Sequence, residues 1–327
     1  MANIPRNLFK FEKHEFIGTE GAEEDQEFLY SCFVDTGDLD VLRNTDHPAR
    51  IVAGRTGIGK TALLMLLQKK EQHVSWIEPE ELSLQYISNS NVISFLEKNG
   101  VDLDIFYKLL WRHILTVELI KQKYNIKNED DQKNYLQKIY EKYLGDKKKK
   151  EAFDYLTEWG EKFWEDTEYR VHEVTQKLEN AIAVKLGSKF PLLQSQLSGA
   201  EKISEEEKHE IIHRAQEIVN CVQIQKLSKV IKTLAEDEFS DKQKSHFVII
   251  DRLDEKWIDD KIRYKLIKAL IETIRELKKI NTAKIVIALR KDLIYRVFRE
   301  TRSAGFQEEK YQSLFLNLKH RNFHFSI

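Results

Sequence analysis

Four short runs of mainly apolar residues have the length and composition of buried β-strands. Polar or glycine-containing segments follow each of them. Apolar runs without a regular polar alternation are typical of parallel strands that helices cover on both faces. We therefore predict a mostly parallel sheet built from residues 50–53, 73–77, 246–251 and 283–289.

Longer stretches repeat apolar residues at spacings of three and four, which predicts amphipathic helices. The clearest are residues 102–121, 206–236 and 259–279, the second with one break in its pattern. The first has a wide apolar face, so we predict a core helix packed on the sheet and interpret Trp111 and His113 as packing residues. Strands and helices together predict an α/β fold whose mostly parallel sheet is flanked by helices.

The composition changes between the second and third predicted strands. Residues 121–244 are dominated by Lys, Glu, Gln and Tyr, with a single proline and no internal repeat. We interpret this segment as a large α-helical insertion that splits one α/β domain. The predicted organisation is residues 1–120 as the first half of the core, 121–244 as the insertion, and 245–327 as the second half.

Overall charge and composition restrict the protein class and its location. Charged residues make up 33% of the 327 residues, yet the formal net charge is −1, which argues against bulk attraction to nucleic acid. Cys32 and Cys221 are too few for a disulfide framework or a metal site. No apolar run is long enough to span a bilayer, and the N-terminus lacks the apolar core of a signal peptide. We expect a cytoplasmic protein with no membrane partner.

A glycine-rich segment follows the first predicted strand and leads into a helix. Glycines let main-chain N–H groups approach phosphate oxygens, and the helix that starts here adds the positive end of its dipole. In the pattern G-x-x-x-x-G-K-[ST], the lysine binds the β- and γ-phosphates and the hydroxyl ligates Mg²⁺. The segment therefore predicts binding of ATP and Mg²⁺ by Gly54, Arg55, Thr56, Gly57, Ile58, Gly59, Lys60, Thr61 and Ala62.

The third predicted strand ends in a carboxylate. Open α/β sheets bind their ligands at the carboxyl ends of the strands, so Asp251 is the natural second Mg²⁺ ligand beside Thr61. Many ATPases carry a catalytic glutamate directly after this aspartate, whereas here that position is Arg252. Asp254 and Glu255, on the following turn, are the acids that could polarise the attacking water. The sequence leaves open which of the two faces the γ-phosphate.

The fourth predicted strand delivers Arg290 to the same edge of the sheet. A side chain there can sense the γ-phosphate and contact the attacking water or the ligands of the metal. We carry Arg290 as a candidate catalytic side chain. The alternative is an arginine that forms a surface salt bridge with Asp292.

Two further features have functional and structural interpretations. Phe16, Ile17 and Gly18 lie before an acidic helix start, and in many P-loop ATPases such a lead-in packs over the adenine ring. The alternative is a loop that caps the sheet edge. The run Lys147-Lys148-Lys149-Lys150 reads as an exposed turn between helices, and the alternative is contact with nucleic acid or an acidic partner.

With these motifs placed, the chain resembles bacterial P-loop ATPases related to the STAND, NACHT and origin-recognition branches of the AAA+ class. The block Asp251-Arg252-Leu253-Asp254-Glu255 looks like the acidic motif of NACHT-type ATPases. The other matching pieces are Phe16-Ile17-Gly18 with Ala22-Glu23, the loop of residues 54–61, the helix-rich insertion, and the strand ending Leu289-Arg290-Lys291-Asp292.

The resemblance implies ATP binding and slow hydrolysis coupled to conformational or assembly switching, often within bacterial anti-phage defence. Relatives usually continue into a helical lid and a winged-helix-like region, whereas this chain stops soon after the strand that ends at Arg290. Either the lid is absent, a partner supplies it, or the chain is a fragment of a longer parent, so we expect hydrolysis to be slow or partner-dependent. We expect self-association or a protein partner to use the insertion. The alternative function is a nucleic-acid-binding ATPase, a loader or remodeller that contacts DNA through the insertion. A small-molecule kinase is the third hypothesis, and nothing after Lys60 specifies an acceptor pocket.

Overall fold

A computed structural model of the chain shows an α/β protein with a five-stranded, all-parallel sheet flanked by helices. The structure describes residues 36–80, 89–125, 167–197, 204–221, 244–301 and 306–319, together with scattered single positions between these ranges. The predicted fold class is therefore confirmed at the level of an α/β protein with a parallel sheet.

The strands are β1 (Ile51–Gly54), β2 (His73–Ile77), β3 (His246–Ile250), β4 (Ala283–Arg290) and β5 (Phe315–Asn317). Their order across the sheet is β2-β3-β4-β1-β5, and every neighbouring pair is parallel. The four predicted strands are confirmed, each to within one residue at either end.

The fifth strand is an element that the sequence pattern did not indicate. β5 has only three residues, too few for an alternation to be recognised. Its position depends on pairing with β1. The Arg50 N–H donates to the Leu314 carbonyl and the Leu318 N–H donates to the Ala53 carbonyl, each at 2.8 Å. Tertiary contact with β1 therefore decides this strand.

The described helices either follow a strand or connect β2 to β3. They are α1 (Asp38–Arg43), α2 (Lys60–Lys70), α3 (Asn91–Lys98), α4 (Asp104–Tyr124), α5 (Thr167–Leu186), α6 (Phe190–Leu197), α7 (Glu205–Cys221), α8 (Asp260–Leu277) and α9 (Lys291–Glu300). Two 3₁₀ helices cover Gly187–Lys189 and Glu308–Leu314. None of the helices within the described ranges combines the length and apolar character that crossing a membrane requires.

The predicted helices correspond to α4, α7 and α8. The prediction for residues 206–236 is confirmed as far as Cys221, and most of the remainder lies outside the described residues. Trp111 and His113 are buried in α4, and the Trp111 indole Nε1–H donates to the Leu266 carbonyl at 2.9 Å. Their interpretation as packing residues is therefore confirmed.

Alternate residues of the strands point to opposite faces of the sheet, and each face has its own hydrophobic core. On one face Val52, Phe247, Ile249, Val286 and Ala288 pack with residues of α1 and α2. On the other face Ile51, Ala53, Val248, Ile250, Ile285, Ile287 and Leu289 join the larger core, which contains α3, α4, α8 and α9. Both faces are covered, which explains the continuous apolar runs in the sequence.

The described helices between β2 and β3 extend this larger core. α5 and α7 pack on each other and on α4, and α4 packs on β2 and β3. Buried residues of α5 and α7, among them Leu178, Ile182 and Ile211, belong to the same hydrophobic core as the sheet face under α4. This part of the segment predicted as an insertion is therefore joined to the sheet by apolar packing.

A ladder of ion pairs joins α4 to α8. The pairs are spaced four residues apart on both helices, so the two helices run in the same direction where they meet. Residues four apart lie on one helix face, which lets all three pairs form along a single contact line. The pairs are Asp104–Lys268, Lys108–Glu272 at 2.7 Å, and Arg112–Glu276.

We expect Lys108→Glu to lower the free energy of unfolding by about 1 kcal/mol, because it places two carboxylates together in the middle of the ladder. Glu272→Lys should destabilise the protein by a similar amount, and the double variant Lys108→Glu/Glu272→Lys should recover most of the loss. Urea denaturation of the four proteins measures this coupling. Additive losses in the double variant would show that the two side chains do not interact.

Two buried cations hold the connection between α1 and β1 at the opposite end of the sheet from Arg290. The Lys284 ammonium donates to the carbonyls of Val41 at 2.9 Å and Asn44 at 2.8 Å. The Arg50 guanidinium donates to three carbonyls of residues 45–48. Burial lowers the pKa of Lys284 to about 7 and that of Arg50 to about 10.

The pKa of Lys284 predicts a pH-dependent stability. Between its folded pKa of about 7 and its ordinary pKa of 10.5, the unfolded chain binds a proton that the folded protein lacks. Folding therefore gains stability with rising pH in this window, by up to about 1.4 kcal/mol per pH unit. The Lys284→Met variant lacks this gain. Its free energy of unfolding relative to the unchanged protein should therefore be highest near pH 7 and fall towards pH 10. A stability difference that is constant with pH would contradict the assignment.

Candidate functional site

The carboxyl ends of three neighbouring strands bring the predicted site residues to one edge of the sheet. β4 lies between β1 and β3, and its residue Arg290 is level with Gly54 of β1. On the other side, Ile250 of β3 is level with Ile287 of β4. Asp251, the next residue, therefore lies beside the carboxyl-terminal part of β4. The parallel register alone therefore places the glycine-rich loop, Asp251 and Arg290 at the same edge.

The glycine-rich loop turns directly from β1 into α2. Gly57 and Gly59 have φ values of 74° and 91°, in the left-handed region that side chains with a Cβ rarely adopt. Gly59 is the residue before α2, so its conformation sets the direction in which the helix begins. The glycines of the pattern are thus required by the path of the chain as well as by access to a phosphate.

Gly54 is needed for a different reason, a close approach within the loop. A Cβ on Gly54 would lie 2.5 Å from Ile58 Cγ2 and 3.6 Å from Leu318 Cβ. The shorter distance is below any real carbon–carbon contact, so a side chain here would push the loop away from the strand. The loop is therefore folded tightly back over the end of β1.

The lysine of the pattern is the first residue of α2, and its side chain turns back onto the loop. Lys60 is buried, and its Nζ donates to the main-chain carbonyl of Arg55 at 3.2 Å. Arg55, Thr56 and the loop glycines Gly57 and Gly59 are exposed. The first N–H groups of α2, from Lys60 onward, have no acceptor within the helix and carry its positive dipole end. The loop therefore presents an ammonium and main-chain donors, which suits an anion.

The hydroxyl of Thr61 and the carboxylate of Asp251 meet across the edge of the sheet. Thr61 Oγ1 donates to Asp251 Oδ2 at 2.8 Å, although the two residues are 190 positions apart. Asp251 is 3% exposed, and burial raises the pKa of its carboxyl, while the hydrogen bonds from Thr61 and from the Arg252 N–H oppose that rise. A bound cation would favour the charged form of this carboxylate.

These two oxygens fit a magnesium ion that also binds phosphate and water. Within the described ranges no cluster of three or more His, Cys, Asp or Glu side chains could hold a metal alone. Mg²⁺ usually takes one or two carboxylates, and water and substrate phosphates complete its six oxygen ligands. Thr61 and Asp251 are the two predicted ligands, and the structure brings them into direct contact.

The acidic turn after β3 separates its two carboxylates. The Glu255 N–H donates to the Arg252 carbonyl at 3.1 Å, and the Leu253 side chain between them is buried in the core. Asp254 lies near Arg290, with 3.9 Å between Asp254 Oδ2 and Arg290 Nε. Glu255 lies near Arg252 instead, with 3.8 Å between Glu255 Oε1 and Arg252 Nε.

Arg290 makes the salt bridge that was the alternative to a sensing role. Its Nε and Nη2 donate to the two carboxylate oxygens of Asp292 at 3.0 and 2.7 Å. The side chain is 39% exposed and still faces Asp254. The structure therefore shows the predicted surface pair together with a position at the predicted edge, and the role in sensing phosphate stays a prediction.

One pair of residues at this edge was missed by the sequence analysis. Glu78 follows the last residue of β2, and Arg252 Nη1 donates to Glu78 Oε2 at 3.1 Å. Ile77 of β2 is level with Ile250 of β3, so Glu78 and Asp251 leave adjacent strands side by side. The signal that identified Asp251, an acid directly after a predicted strand, is also present at Glu78.

Two predicted features lie outside the described residues. These are Phe16-Ile17-Gly18 and the run Lys147-Lys148-Lys149-Lys150, so the structure gives neither an adenine contact nor a nucleic-acid contact for them. The alternation of Phe323, Phe325 and Ile327, which predicts a last strand, also lies outside the described residues.

No family model matches the chain, and no curated protein or solved structure matches it. The fold and the site geometry consequently carry the functional argument. They define an α/β protein with a glycine-rich, basic loop and a buried carboxylate at the carboxyl edge of a parallel sheet.

The close approach at Gly54 gives a test of the loop. Gly54→Ala should lower the free energy of unfolding by about 1–3 kcal/mol, because its Cβ overlaps Ile58 Cγ2. Ile58→Ala removes that methyl group. Gly54→Ala should therefore cost less free energy of unfolding in the Ile58→Ala background than in the unchanged protein. Chemical denaturation of the three variants measures both terms. If Gly54→Ala is as stable as the unchanged protein, the tight loop is wrong.

Proposed function

We propose that the protein binds ATP with Mg²⁺ at the glycine-rich loop, hydrolyses it slowly, and acts as a conformational or assembly switch. The observation that carries the proposal is the 2.8 Å contact between Thr61 and Asp251. It joins the hydroxyl of the phosphate-loop pattern to a buried carboxylate from a separate strand. A glycine turn that joins a strand to a helix and binds nothing would not require a buried carboxylate at this position.

Each part of the proposed site has a defined chemical role. The loop N–H groups and Lys60 would bind the phosphates, because main-chain donors, the helix dipole and an ammonium act together on one anion. Thr61 and Asp251 would hold Mg²⁺, which neutralises charge on the β- and γ-phosphates. Asp254, Glu255 and Arg290 are the candidates for polarising water and reading the γ-phosphate.

Slow hydrolysis is supported by the sequence after Asp251. Arg252 takes the position in which many ATPases carry a glutamate, and the acids Asp254 and Glu255 are both next to arginines. With Arg252 in that position, an acid that activates water must come from the turn three or four residues after Asp251, where it is less closely fixed to the proposed Mg²⁺ ligand. Such a site fits an enzyme that holds its nucleotide for long periods.

The switching role is supported by the position of α8. This helix begins five residues after Glu255, and the ion-pair ladder joins it to α4. α4 in turn packs on α5 and α7. A displacement of the acidic turn on nucleotide binding would therefore move a helix that is firmly attached to the segment between β2 and β3. Self-association or partner binding through that segment, as part of an anti-phage defence system, belongs to this proposal.

Calorimetric titration with ATP and Mg²⁺ tests the proposal. Lys60→Ala should weaken ATP binding by roughly 10- to 100-fold, since it removes a charge-assisted hydrogen bond to phosphate. Lys70→Ala is the matched control, because Lys70 is an exposed lysine at the other end of the same helix. Asp251→Asn should reduce the Mg²⁺ dependence of ATP binding and abolish phosphate release.

Two outcomes would overturn the proposal. One is equal ATP affinity for Lys60→Ala, Lys70→Ala and the unchanged protein. The other is ATP affinity that does not change when Mg²⁺ is removed from the unchanged protein. Sedimentation with and without ATP tests the assembly part separately, and identical mass distributions would remove it.

A further inference from the structure

Arg252 has a main-chain conformation that its own chemistry does not favour. Its φ is 57°, and among the described residues other than glycine only Asn125 is also positive. Asn125 follows α4, where asparagine commonly ends a helix in this conformation. Asparagine is enriched in this conformation and arginine is not, so the contacts around Arg252 must hold it there.

Two carboxylates from different elements surround the Arg252 guanidinium. Nη1 lies 3.1 Å from Glu78 Oε2, at the end of β2, and Nε lies 3.8 Å from Glu255 Oε1, on the acidic turn. The arginine is about one-third exposed, so these contacts are partly shielded from water. A single cation is thus shared between two acids at the edge of the proposed site.

Burial and several charged neighbours act on the carboxyl of Glu255. Burial raises the pKa of its carboxyl, and the nearby charges of Glu80, Asp254 and Glu78 raise it further, whereas the Arg252 guanidinium lowers it. From α8, Arg263 Nη1 donates to the Glu255 main-chain carbonyl at 2.6 Å and holds the turn in place. Arg252 is therefore the cation that favours the ionised form of this side chain.

The other acid of the turn is placed differently. Asp254 faces Arg290, whose guanidinium already forms a two-point hydrogen bond with Asp292. Its side chain is 24% exposed, against 46% for Glu255. Glu255 is consequently the more accessible of the two acids, and the arginine beside it is Arg252, which also binds Glu78.

We propose that Arg252 is a positioning residue that keeps Glu255 ionised and oriented to activate water, and that Glu78 weakens this effect by competing for the same guanidinium. The inference rests on the ATPase function proposed above. In that reaction Glu255 accepts a proton from water as the water oxygen bonds to the γ-phosphorus. The bond from the γ-phosphorus to the bridging oxygen breaks, and ADP and phosphate leave.

The proposal predicts opposite effects for two substitutions that each remove one charge. Arg252→Gln should move the acid limb of the kcat–pH profile to higher pH, because Glu255 loses its cation. Glu78→Gln should move the limb to lower pH, because the Arg252 guanidinium then pairs with the Glu255 carboxylate alone. On that limb Arg252→Gln should lower kcat about tenfold. KM for ATP should change less than about twofold in both variants, since neither residue belongs to the loop that would bind phosphate.

Two further variants separate positioning from general damage. Arg252→Lys keeps the positive charge, so it should retain much of the acid limb of the unchanged protein. Glu255→Gln should remove the limb together with most of the activity. The Glu255 titration can also be followed without catalysis, by carbon-13 NMR of glutamate-labelled, nucleotide-free protein, with the Glu255 signal assigned from its loss in Glu255→Gln. Its midpoint should rise in Arg252→Gln and fall in Glu78→Gln.

The readouts distinguish failure of this inference from failure of the ATPase proposal. If the protein binds and hydrolyses ATP but both variants leave the acid limb and the Glu255 titration unchanged, Arg252 does not position Glu255. Shifts of both variants in the same direction would overturn the competition by Glu78. A protein that binds no ATP overturns the proposed function and with it the catalytic role of Glu255, while the NMR titration still decides whether Arg252 and Glu78 act on that carboxyl.

Discussion

The candidate site depends on one buried interaction, the hydrogen bond from Thr61 to Asp251. A carboxylate that is removed from water loses its hydration, and few hydrogen bonds replace it here, so burial raises the pKa of Asp251. The parallel pairing of β1, β4 and β3 makes the contact possible, because it brings the start of α2 and the end of β3 to the same edge. The free energy of a well-packed sheet thus stabilises an arrangement that is electrostatically unfavourable without a nearby cation.

The same edge shows why the arginines matter as much as the acids. Glu78, Asp254 and Glu255 would repel one another if no cation lay between them. Arg252 and Arg290 separate them into two groups, one at the β2 side of the turn and one at the β4 side. A γ-phosphate would add negative charge and compete with these carboxylates for the arginines. Any rearrangement on binding is therefore expected first in the acidic turn, which is directly connected to α8.

Much of the fold follows from the sequence because its signals are local. β1, β3 and β4 are buried on both faces, so they consist almost entirely of apolar residues, and the glycine-rich pattern lies between a strand and a helix, as a phosphate-binding loop would. β5 could not be predicted, since its three residues are ordered by pairing with β1. The Glu78–Arg252 pair and the buried Lys284 depend on strand register and on a loop that returns to the sheet. No spacing along the chain reports such contacts.

The presence of an arginine directly after Asp251 has a physical consequence for the proposed ATPase site. With a glutamate at that position, a base that activates water would directly follow the proposed Mg²⁺ ligand and would have little freedom to move. With Arg252 there, any base must come from the turn three or four residues on, whose position depends on Leu253 packing and on the Arg263 contact to the Glu255 carbonyl. The rate of hydrolysis would then follow the position of the turn. Contacts on α8 or α4 could in this way control hydrolysis without touching the nucleotide.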